Sequence, residues 1–209
     1  MTTIRRLTDS CLTVTMEAGT TLFDPGFHTF DTGEFDLATL GDVQRVLITH
    51  EHGDHVKPEF VSWLVDRGEN VKVYSNQPVA DLLARHDIEV MVDNPEGVSS
   101  EDVAHETTPM GTAPPNRAFT IDGVLTHPGD SYQLTSSAPV LALPLMIPWG
   151  STTESMEFAR RLAPQLAIPV HDFALSNLGR NWINSMAKTV LAKSGIELIP
   201  LGWGESATV

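Results

Sequence analysis

The chain of 209 residues is 41% hydrophobic and 19% charged, the balance of a globular protein whose core needs no disulfide support. Its single cysteine, Cys11, excludes an intrachain disulfide, and no apolar run approaches the roughly 18 to 20 residues of a membrane span, so we expect a cytoplasmic protein without a membrane partner. The net charge is -14, from 27 acidic and 13 basic residues without a Lys/Arg cluster, which argues against a nucleic-acid partner.

The predicted elements begin as hairpins and continue as strands that alternate with helices. Strands are predicted at 11–23 (two strands with a turn at 18–19), 43–49, 71–75, 88–92, 119–121, 124–126, 140–146, 167–170 and 196–201. Helices are predicted from Pro58 onward and at 78–85, 152–162 and 176–193. Segments 27–42 and 94–120 lack clear periodicity. Because no linker or repeat interrupts this order, it predicts one α+β domain over residues 1–209, with sheets packed together and flanked by helices.

The most informative stretch is THEHGDH at residues 49–55, directly after the apolar run 46–48. Alternation along an extended chain places His50 and His52 on the same side, and the turn at Gly53 presents Asp54 and His55 in another direction. Burying three histidines and an aspartate in one turn carries a large desolvation cost unless something coordinates them. Imidazole and carboxylate suit zinc, iron and manganese, and two groups of ligands suit two adjacent metal ions.

This loop resembles the H-x-H-x-D-H loop of the metallo-β-lactamase-fold hydrolases, which holds a two-metal centre. Further segments resemble the other motifs of that family in the same order: LFDPG at 22–26, VAH at 103–105, HPGDS at 127–131, IPVH at 168–171 and a short terminal hairpin, GWGE, at 202–205. The resemblance implies a four-layer αββα sandwich of two mixed β-sheets flanked by helices.

The resemblance also implies a role for each matching residue. His50, His52 and His105 would bind one metal ion, Asp54, His55 and His171 would bind the other, and Asp130 would bridge the two. Asp24 would orient a ligand histidine without binding metal itself. The expected cofactors are two divalent ions, Zn²⁺ first, with Mn²⁺ or Fe²⁺ as alternatives.

Within the superfamily, HPGDS and the run 143–171 are most similar to a compact, single-domain subgroup of metal-dependent hydrolases related to the ascorbate-6-phosphate lactonases. That subgroup has a proline-glycine element where Pro148, Trp149 and Gly150 stand. The tryptophan suggests an aromatic wall beside the metals, and core packing is the alternative. His127 has two interpretations as well, a substrate contact or a structural residue.

The predicted function is hydrolysis of a small ester, lactone or phosphoester by a hydroxide that bridges two metal ions. Asp54 and Asp130 would orient this nucleophile and offset metal charge, and Asp54 or a metal-bound water would protonate the leaving group. The alternative is an iron-dependent oxidoreductase of the sulfur-oxidising type on the same fold. Specificity is expected in loops 27–42, 106–117 and 146–153, where Arg117 is the only arginine and a candidate partner for an anion. A homo-oligomer is compatible with these expectations.

Overall fold

A computed structural model describes residues 1–108, 111–146 and 149–209. Pro148 and parts of the loops 106–117 and 146–153 therefore lie outside the described residues. The chain folds into two compact units. The first unit comprises residues 1–95 and 201–209, and the second unit comprises residues 96–200. No helix in the described ranges combines the length and the apolar character that a bilayer span requires.

The described residues form strands and helices that we number in chain order. The strands are β1 (Thr3–Arg6), β2 (Leu12–Met16), β3 (Gly19–Phe23), β4 (Arg45–Leu47), β5 (Lys72–Tyr74), β6 (Val98–Ala104), β7 (Pro115–Ile121), β8 (Leu125–His127), β9 (Val140–Pro144), β10 (Leu166–Val170), β11 (Glu197–Leu198) and β12 (Ser206–Thr208). The helices are α1 (Phe27–Phe30), α2 (Pro58–Arg67), α3 (Gln77–Ala84), α4 (Thr152–Leu162) and α5 (Asn177–Ala192), with a 3-10 turn at Leu37–Thr39.

The first unit contains a mixed six-stranded sheet in the order β12-β1-β2-β3-β4-β5. Strands β12 to β3 pair antiparallel, whereas β3, β4 and β5 run parallel. Phe23 lies opposite Leu47, and the amide of Asp24 donates to the carbonyl of Leu47 at 3.0 Å. Because β3 and β4 run the same way, Asp24 and the loop 49–55 emerge at the same edge of the sheet.

Helices α2 and α3 cover this sheet with their apolar faces. Pro58 occupies the first turn of α2, where its missing N–H costs no hydrogen bond, and Asn76 caps α3 by accepting from the amide of Val79. The buried side chains Phe60 and Leu64 belong to a core cluster with strand residues of the sheet. This packing fixes the strand ends from which residues 49–55, which we call the ligand loop, project.

The second unit contains the other mixed six-stranded sheet, in the order β11-β10-β9-β8-β7-β6. Strands β8 to β11 pair parallel, and β7 is antiparallel to both of its neighbours. Strands β6, β8 and β10 consequently share one direction, and their carboxyl ends lie at one edge of the sheet. His105 directly follows β6, Asp130 lies in the turn after β8, and His171 directly follows β10.

Helices α4 and α5 form the helical layer of the second unit and contact each other. Phe158 and Ala159 of α4 and Ala187 of α5 are buried in a core cluster with residues of β9 and β10. Ser151 begins α4 with a complete capping box, in which its hydroxyl accepts from the amide of Glu154 and its amide donates to the Glu154 carboxylate.

The prediction of two mixed sheets flanked by helices is confirmed, whereas some predicted elements differ. The aperiodic segment 94–120 contains β6 and most of β7. Strand β6 is a largely exposed edge strand, and β7 is an interior strand whose buried residues do not alternate strictly. The predicted strand 88–92 is reduced to a bridge between Met91 and Tyr74, and segment 27–42 contains α1. Segment 202–205, predicted as a terminal hairpin, is instead a turn that leads into β12, which pairs with β1. A single domain over 1–209 stays a prediction.

Removing the cap of α4 should destabilise the protein. We expect Ser151→Ala to lower the free energy of unfolding by about 0.5 to 2 kcal/mol, because the Glu154 amide loses its hydrogen-bond acceptor. Urea denaturation followed by circular dichroism measures the change. Ser151→Thr keeps the acceptor and serves as the control. Equal losses in both variants would contradict the capping role.

Candidate metal centre

Four of the predicted ligands lie together in the first unit, in the loop after β4. Nε2 of His50 and Nδ1 of His52 are 3.1 Å apart. Nε2 of His55 lies 3.9 Å from Oδ2 of Asp54. His50 and His55 are fully buried, with ring centroids 4.0 Å apart. The loop thus presents two closely spaced pairs of donors, as the alternation in its sequence predicts.

Asp24 orients the histidines of this loop. One carboxylate oxygen, Oδ1, accepts from the amide of Thr49 at 2.8 Å, and the other, Oδ2, accepts from the Thr49 hydroxyl at 2.9 Å. Oδ2 also lies 2.7 Å from Nδ1 of His55. This contact places the proton of His55 on Nδ1 and leaves Nε2 as the nitrogen that can bind metal.

Thr49 extends the influence of Asp24 to a second histidine. Its hydroxyl oxygen is 3.1 Å from Nδ1 of His50, and because the hydroxyl proton points to Asp24, this oxygen accepts from Nδ1 of His50. Nε2 of His50 is then the nitrogen that is available to bind metal. No role was predicted for Thr49 from the sequence, although it stands inside the motif and a hydroxyl beside a ligand histidine is a recognisable signal.

Gly26 permits the close approach of the turn after β3 to the ligand loop. A Cβ at this position would lie 1.7 Å from the carbonyl oxygen of Asp54. This distance is too short for any residue with a side chain. The amide of Phe27 donates to the carbonyl of Gly53, and the amide of Lys57 donates to the carbonyl of Pro25. The two segments therefore lie main chain against main chain.

The other three predicted ligands lie together in the second unit. Oδ2 of Asp130 is 3.3 Å from Nε2 of His171 and 3.6 Å from Nε2 of His105. Asp130 is fully buried, and both histidines are buried as well. Nδ1 of His105 lies 2.6 Å from the carbonyl of Glu106, which accepts its proton and leaves Nε2 free to bind metal.

The turn that carries Asp130 is held in place by Asn116 of β7. The Asn116 side chain donates to the carbonyl of Pro128 at 2.9 Å and accepts from the amide of Asp130 at 3.2 Å. His127 is fully buried, and its Nδ1 accepts from the amide of Gly129 at 3.2 Å. These contacts favour the structural interpretation of His127. The role of Asn116 was not predicted, since nothing in its flanking residues distinguishes it.

Trp149 contacts the acidic ligand of the second unit. Its indole Nε1–H donates to Oδ2 of Asp130 at 3.3 Å, and the side chain also packs against the core cluster of this unit. The two roles considered for Trp149, a wall beside the ligands and a packing residue, therefore coexist. Because the donor is neutral, it orients the carboxylate without cancelling its charge.

Arg117 and Cys11 can be assigned other roles. The Arg117 guanidinium donates to both oxygens of Asp102, at 2.7 and 3.2 Å, and holds the pKa of that carboxyl below its usual range. Arg117 is thus engaged by the carboxylate of Asp102. Burial raises the pKa of the Cys11 thiol, which keeps it protonated and unreactive.

The donor sets fit divalent metal ions. Two ligands at about 2.0 to 2.1 Å from one tetrahedral zinc ion are roughly 3.3 Å apart. Three donor pairs fall near this value at 3.1, 3.3 and 3.6 Å, and the pair of His55 and Asp54 is wider at 3.9 Å. The buried Asp130 carboxylate among imidazole nitrogens also needs a compensating positive charge. Each unit therefore carries a histidine and aspartate cluster of metal-binding type.

Comparisons with known proteins agree with this description. The model of the metallo-beta-lactamase superfamily matches residues 8–57, which include Asp24 and the loop 49–55. Protein Rv0786c of Mycobacterium tuberculosis is 27% identical over 177 residues, which cover 78% of this chain and 80% of the relative.

Solved structures are similar over almost the whole chain. Igni18, a metallo hydrolase from the archaeon Ignicoccus hospitalis, has a TM-score of 0.73 at 16% identity, with 99% of this chain and 97% of that chain covered. A candidate metal-dependent hydrolase from Parabacteroides distasonis has a TM-score of 0.71 at 20% identity, with coverage of 95% and 92%. The metallo-beta-lactamase fold protein YhfI from Bacillus subtilis has a TM-score of 0.68 at 12% identity, with full coverage of both chains.

One similar structure belongs to a different class of enzyme. CmlA, a diiron β-hydroxylase from Streptomyces venezuelae, has a TM-score of 0.66 at 12% identity, and the match covers all of this chain but 54% of that one. The solved structures therefore show that the fold of this chain is the metallo-beta-lactamase fold, and the superfamily model itself matches residues 8–57.

Substitution of Gly26 should disturb the ligand loop from outside the ligand set. We expect Gly26→Ala to release bound metal and to lower stability by about 1 to 3 kcal/mol, because the new methyl group must displace the Asp54 carbonyl. Elemental analysis after dialysis and urea denaturation measure the two effects. Gly41→Ala is the matched control, since a Cβ there meets nothing within 4 Å. A Gly26→Ala protein with wild-type metal content would refute this account.

The hydrogen bond from Trp149 should also be measurable. We expect Trp149→Phe to keep the fold and to weaken metal binding by about 10-fold, the low end of the range for residues that orient metal ligands. Competition with a chromogenic chelator gives the affinity. Trp182→Phe, at a position that is 67% exposed, is the control. Unchanged affinity in Trp149→Phe would show that Trp149 only packs.

Proposed function

We propose that the clusters of the two units act as one dinuclear metal centre that hydrolyses a small ester, lactone or phosphoester. His50, His52 and His105 would hold one ion, Asp54, His55 and His171 would hold the other, and Asp130 would be shared by both. The observation that carries the proposal is the matched orientation of the histidines. In each unit, an acceptor on Nδ1 of a buried histidine directs its Nε2 toward a neighbouring donor.

When bound, two divalent ions would lower the pKa of a water from about 15.7 toward 7 and polarise the oxygen of the bond under attack. The residues of the chain would supply orientation and charge. Asp24 keeps His55 in one tautomer, and Trp149 directs one oxygen of Asp130. The carboxylate of Asp54 is 18% exposed, in contrast to the fully buried Asp130, so Asp54 is the carboxyl group better suited to exchange a proton with a leaving group.

The substrate class follows from what the described residues offer. Arg117 is paired with Asp102, so no arginine among the described parts of the three specificity loops is oriented as a phosphate clamp. This favours a neutral or singly charged ester or lactone over a polyphosphate. The similarity of HPGDS and of run 143–171 to the ascorbate-6-phosphate lactonase-related subgroup supports the lactone. We propose that the protein acts as a cytoplasmic enzyme on a small molecule.

Iron-dependent oxidation is the second candidate. It is favoured by the similarity of the chain to CmlA, a diiron enzyme with the same fold, and the donor atoms accept iron as readily as zinc. The two candidates differ in their metal and in their need for oxygen. Elemental analysis of the purified protein, followed by oxygen-consumption measurements, separates them. Iron as the sole bound metal, together with oxygen uptake, would replace the hydrolase proposal.

The decisive experiment combines metal stoichiometry with a substrate panel. We expect about two metal ions per chain and chelator-sensitive hydrolysis of lactones, aryl esters or phosphodiesters. His52→Ala and Asp130→Ala should each abolish turnover, because each removes a ligand while the fold is retained. His86→Ala, a substitution outside the ligand set, is the control and should retain turnover. Full activity in either ligand variant would contradict the assignment.

A further inference from the structure

In the second unit, the segment that carries His105 contacts the turn that carries Asp130 through Glu106. The amide of Glu106 donates to the carbonyl of Asp130 at 2.8 Å. The carbonyl of Glu106 accepts the proton of His105 Nδ1 at 2.6 Å. The main chain of this one residue thus connects an imidazole ligand to the peptide of a carboxylate ligand.

The side chain of Glu106 adds a second contact between the two segments, and we call the main-chain and side-chain contacts together the Glu106 clamp. Its Oε1 accepts from the amide of Tyr132 at 2.8 Å and from Nε2 of Gln133 at 3.0 Å. Glu106 therefore contacts the turn of Asp130 at two points, the carbonyl of Asp130 and the amide of Tyr132 two residues later. A neighbouring hydrogen bond, from the hydroxyl of Ser131 to the carbonyl of Ala104, joins the same two segments at 2.7 Å.

The segment that follows Asp130, residues 131–134, is held in place by several hydrogen bonds. Arg161 of α4 donates to the carbonyls of Tyr132 and Leu134 and stacks over the ring of Phe158. The buried Tyr132 hydroxyl donates to the carbonyl of Pro144. In contrast, His105 follows the edge strand β6, whose residues are largely exposed. His105, which follows the exposed strand β6, is thus held against the turn of Asp130, which has more hydrogen bonds to its surroundings.

We propose that Glu106 is a positioning residue of the metal centre, which fixes the tautomer and position of His105 relative to Asp130. This inference rests on the proposed metal-binding function and extends it to a residue that is not itself a ligand. Residues that orient metal ligands typically change metal affinity by about 10- to 100-fold when removed. The part of the clamp that a substitution can remove is the carboxylate contact to the amide of Tyr132.

Two conservative substitutions separate the reach of the side chain from its charge. Glu106→Gln keeps an oxygen at the position that accepts from Tyr132 and removes the negative charge. Glu106→Asp keeps the charge, but its chain is one methylene shorter and withdraws the acceptor. If Glu106 positions the ligands, the Glu106→Gln protein should retain metal binding and the Glu106→Asp protein should lose it. If the charge of Glu106 attracts the cation, Glu106→Asp should retain metal binding and Glu106→Gln should lose it.

The test is metal affinity, measured by chelator competition with Zn²⁺, in Glu106→Gln, Glu106→Asp and Glu106→Ala. We expect affinity close to that of the wild type for Gln and a loss of about 10- to 100-fold for Asp and Ala. Gln133→Ala is the control, because the Tyr132 amide still holds Oε1. Circular dichroism and thermal denaturation identify variants that fail to fold. Equal affinity in all variants, or loss in Gln alone, would overturn the proposal.

A second readout works without metal. In the metal-free protein, ¹⁵N NMR of the imidazoles reports which nitrogen of His105 carries the proton. We expect the Nδ1–H form in the wild type and in Glu106→Gln, and a mixture of tautomers in Glu106→Asp. A pure Nδ1–H form in all three would refute positioning by the side chain. If the wild-type protein binds no metal while this tautomer pattern is seen, the proposed function fails and the positioning role stands.

Discussion

The carboxylate of Asp24, buried at the end of β3, accepts hydrogen bonds from the amide and hydroxyl of Thr49 and from Nδ1 of His55. An ionised carboxylate without water is stable only when its oxygens are satisfied in this way. The same contacts determine which nitrogen of each neighbouring histidine is available. The contacts of this one buried acid thus determine which nitrogens of His50 and His55 are available.

The second unit also buries a carboxylate, but the partners of its oxygens differ. Asp130 is fully buried among His105, His171 and the indole of Trp149, and its turn is fixed by Asn116 and Glu106. The indole N–H is a neutral donor that does not cancel a buried negative charge, whereas a divalent cation does. In both units, an acceptor on Nδ1 of a buried histidine leaves its Nε2 available to bind metal.

Strand direction explains why these side chains meet. In the first sheet, β3 and β4 are parallel neighbours, so the residues after them share an edge. In the second sheet, β6, β8 and β10 have the same direction although β7 runs opposite, and each is followed by a predicted ligand. Rigid strand ends hold side chains more precisely than free loops, which suits a site whose donors must be spaced within a few tenths of an ångström.

The sequence by itself was sufficient for the ligand loop, the fold class and the main helices. The spacing of residues 50–55 predicts metal chemistry, the strands predicted at 119–121 and 124–126 correspond to the β7–β8 hairpin, and the predicted helices from Pro58 onward and at 152–162 correspond to α2 and α4. These signals are local, because alternation, turn residues and caps act over a few positions. Periodicity missed the first halves of β6 and β7, whereas the strand-like residues 101–104 and 119–121 mark the ends of these strands.

Only the tertiary structure decided the hydrogen-bond partners of Thr49, Asn116, Glu106 and Trp149. Each acts through a hydrogen bond to a residue brought near by folding, such as Asn116 to the turn 14 positions later. The pairing of Arg117 with Asp102 likewise depends on the register of β6 and β7. Side-chain identity states which bonds a residue is able to make. The partner it finds depends on strand order and register, which arise from packing across the whole unit.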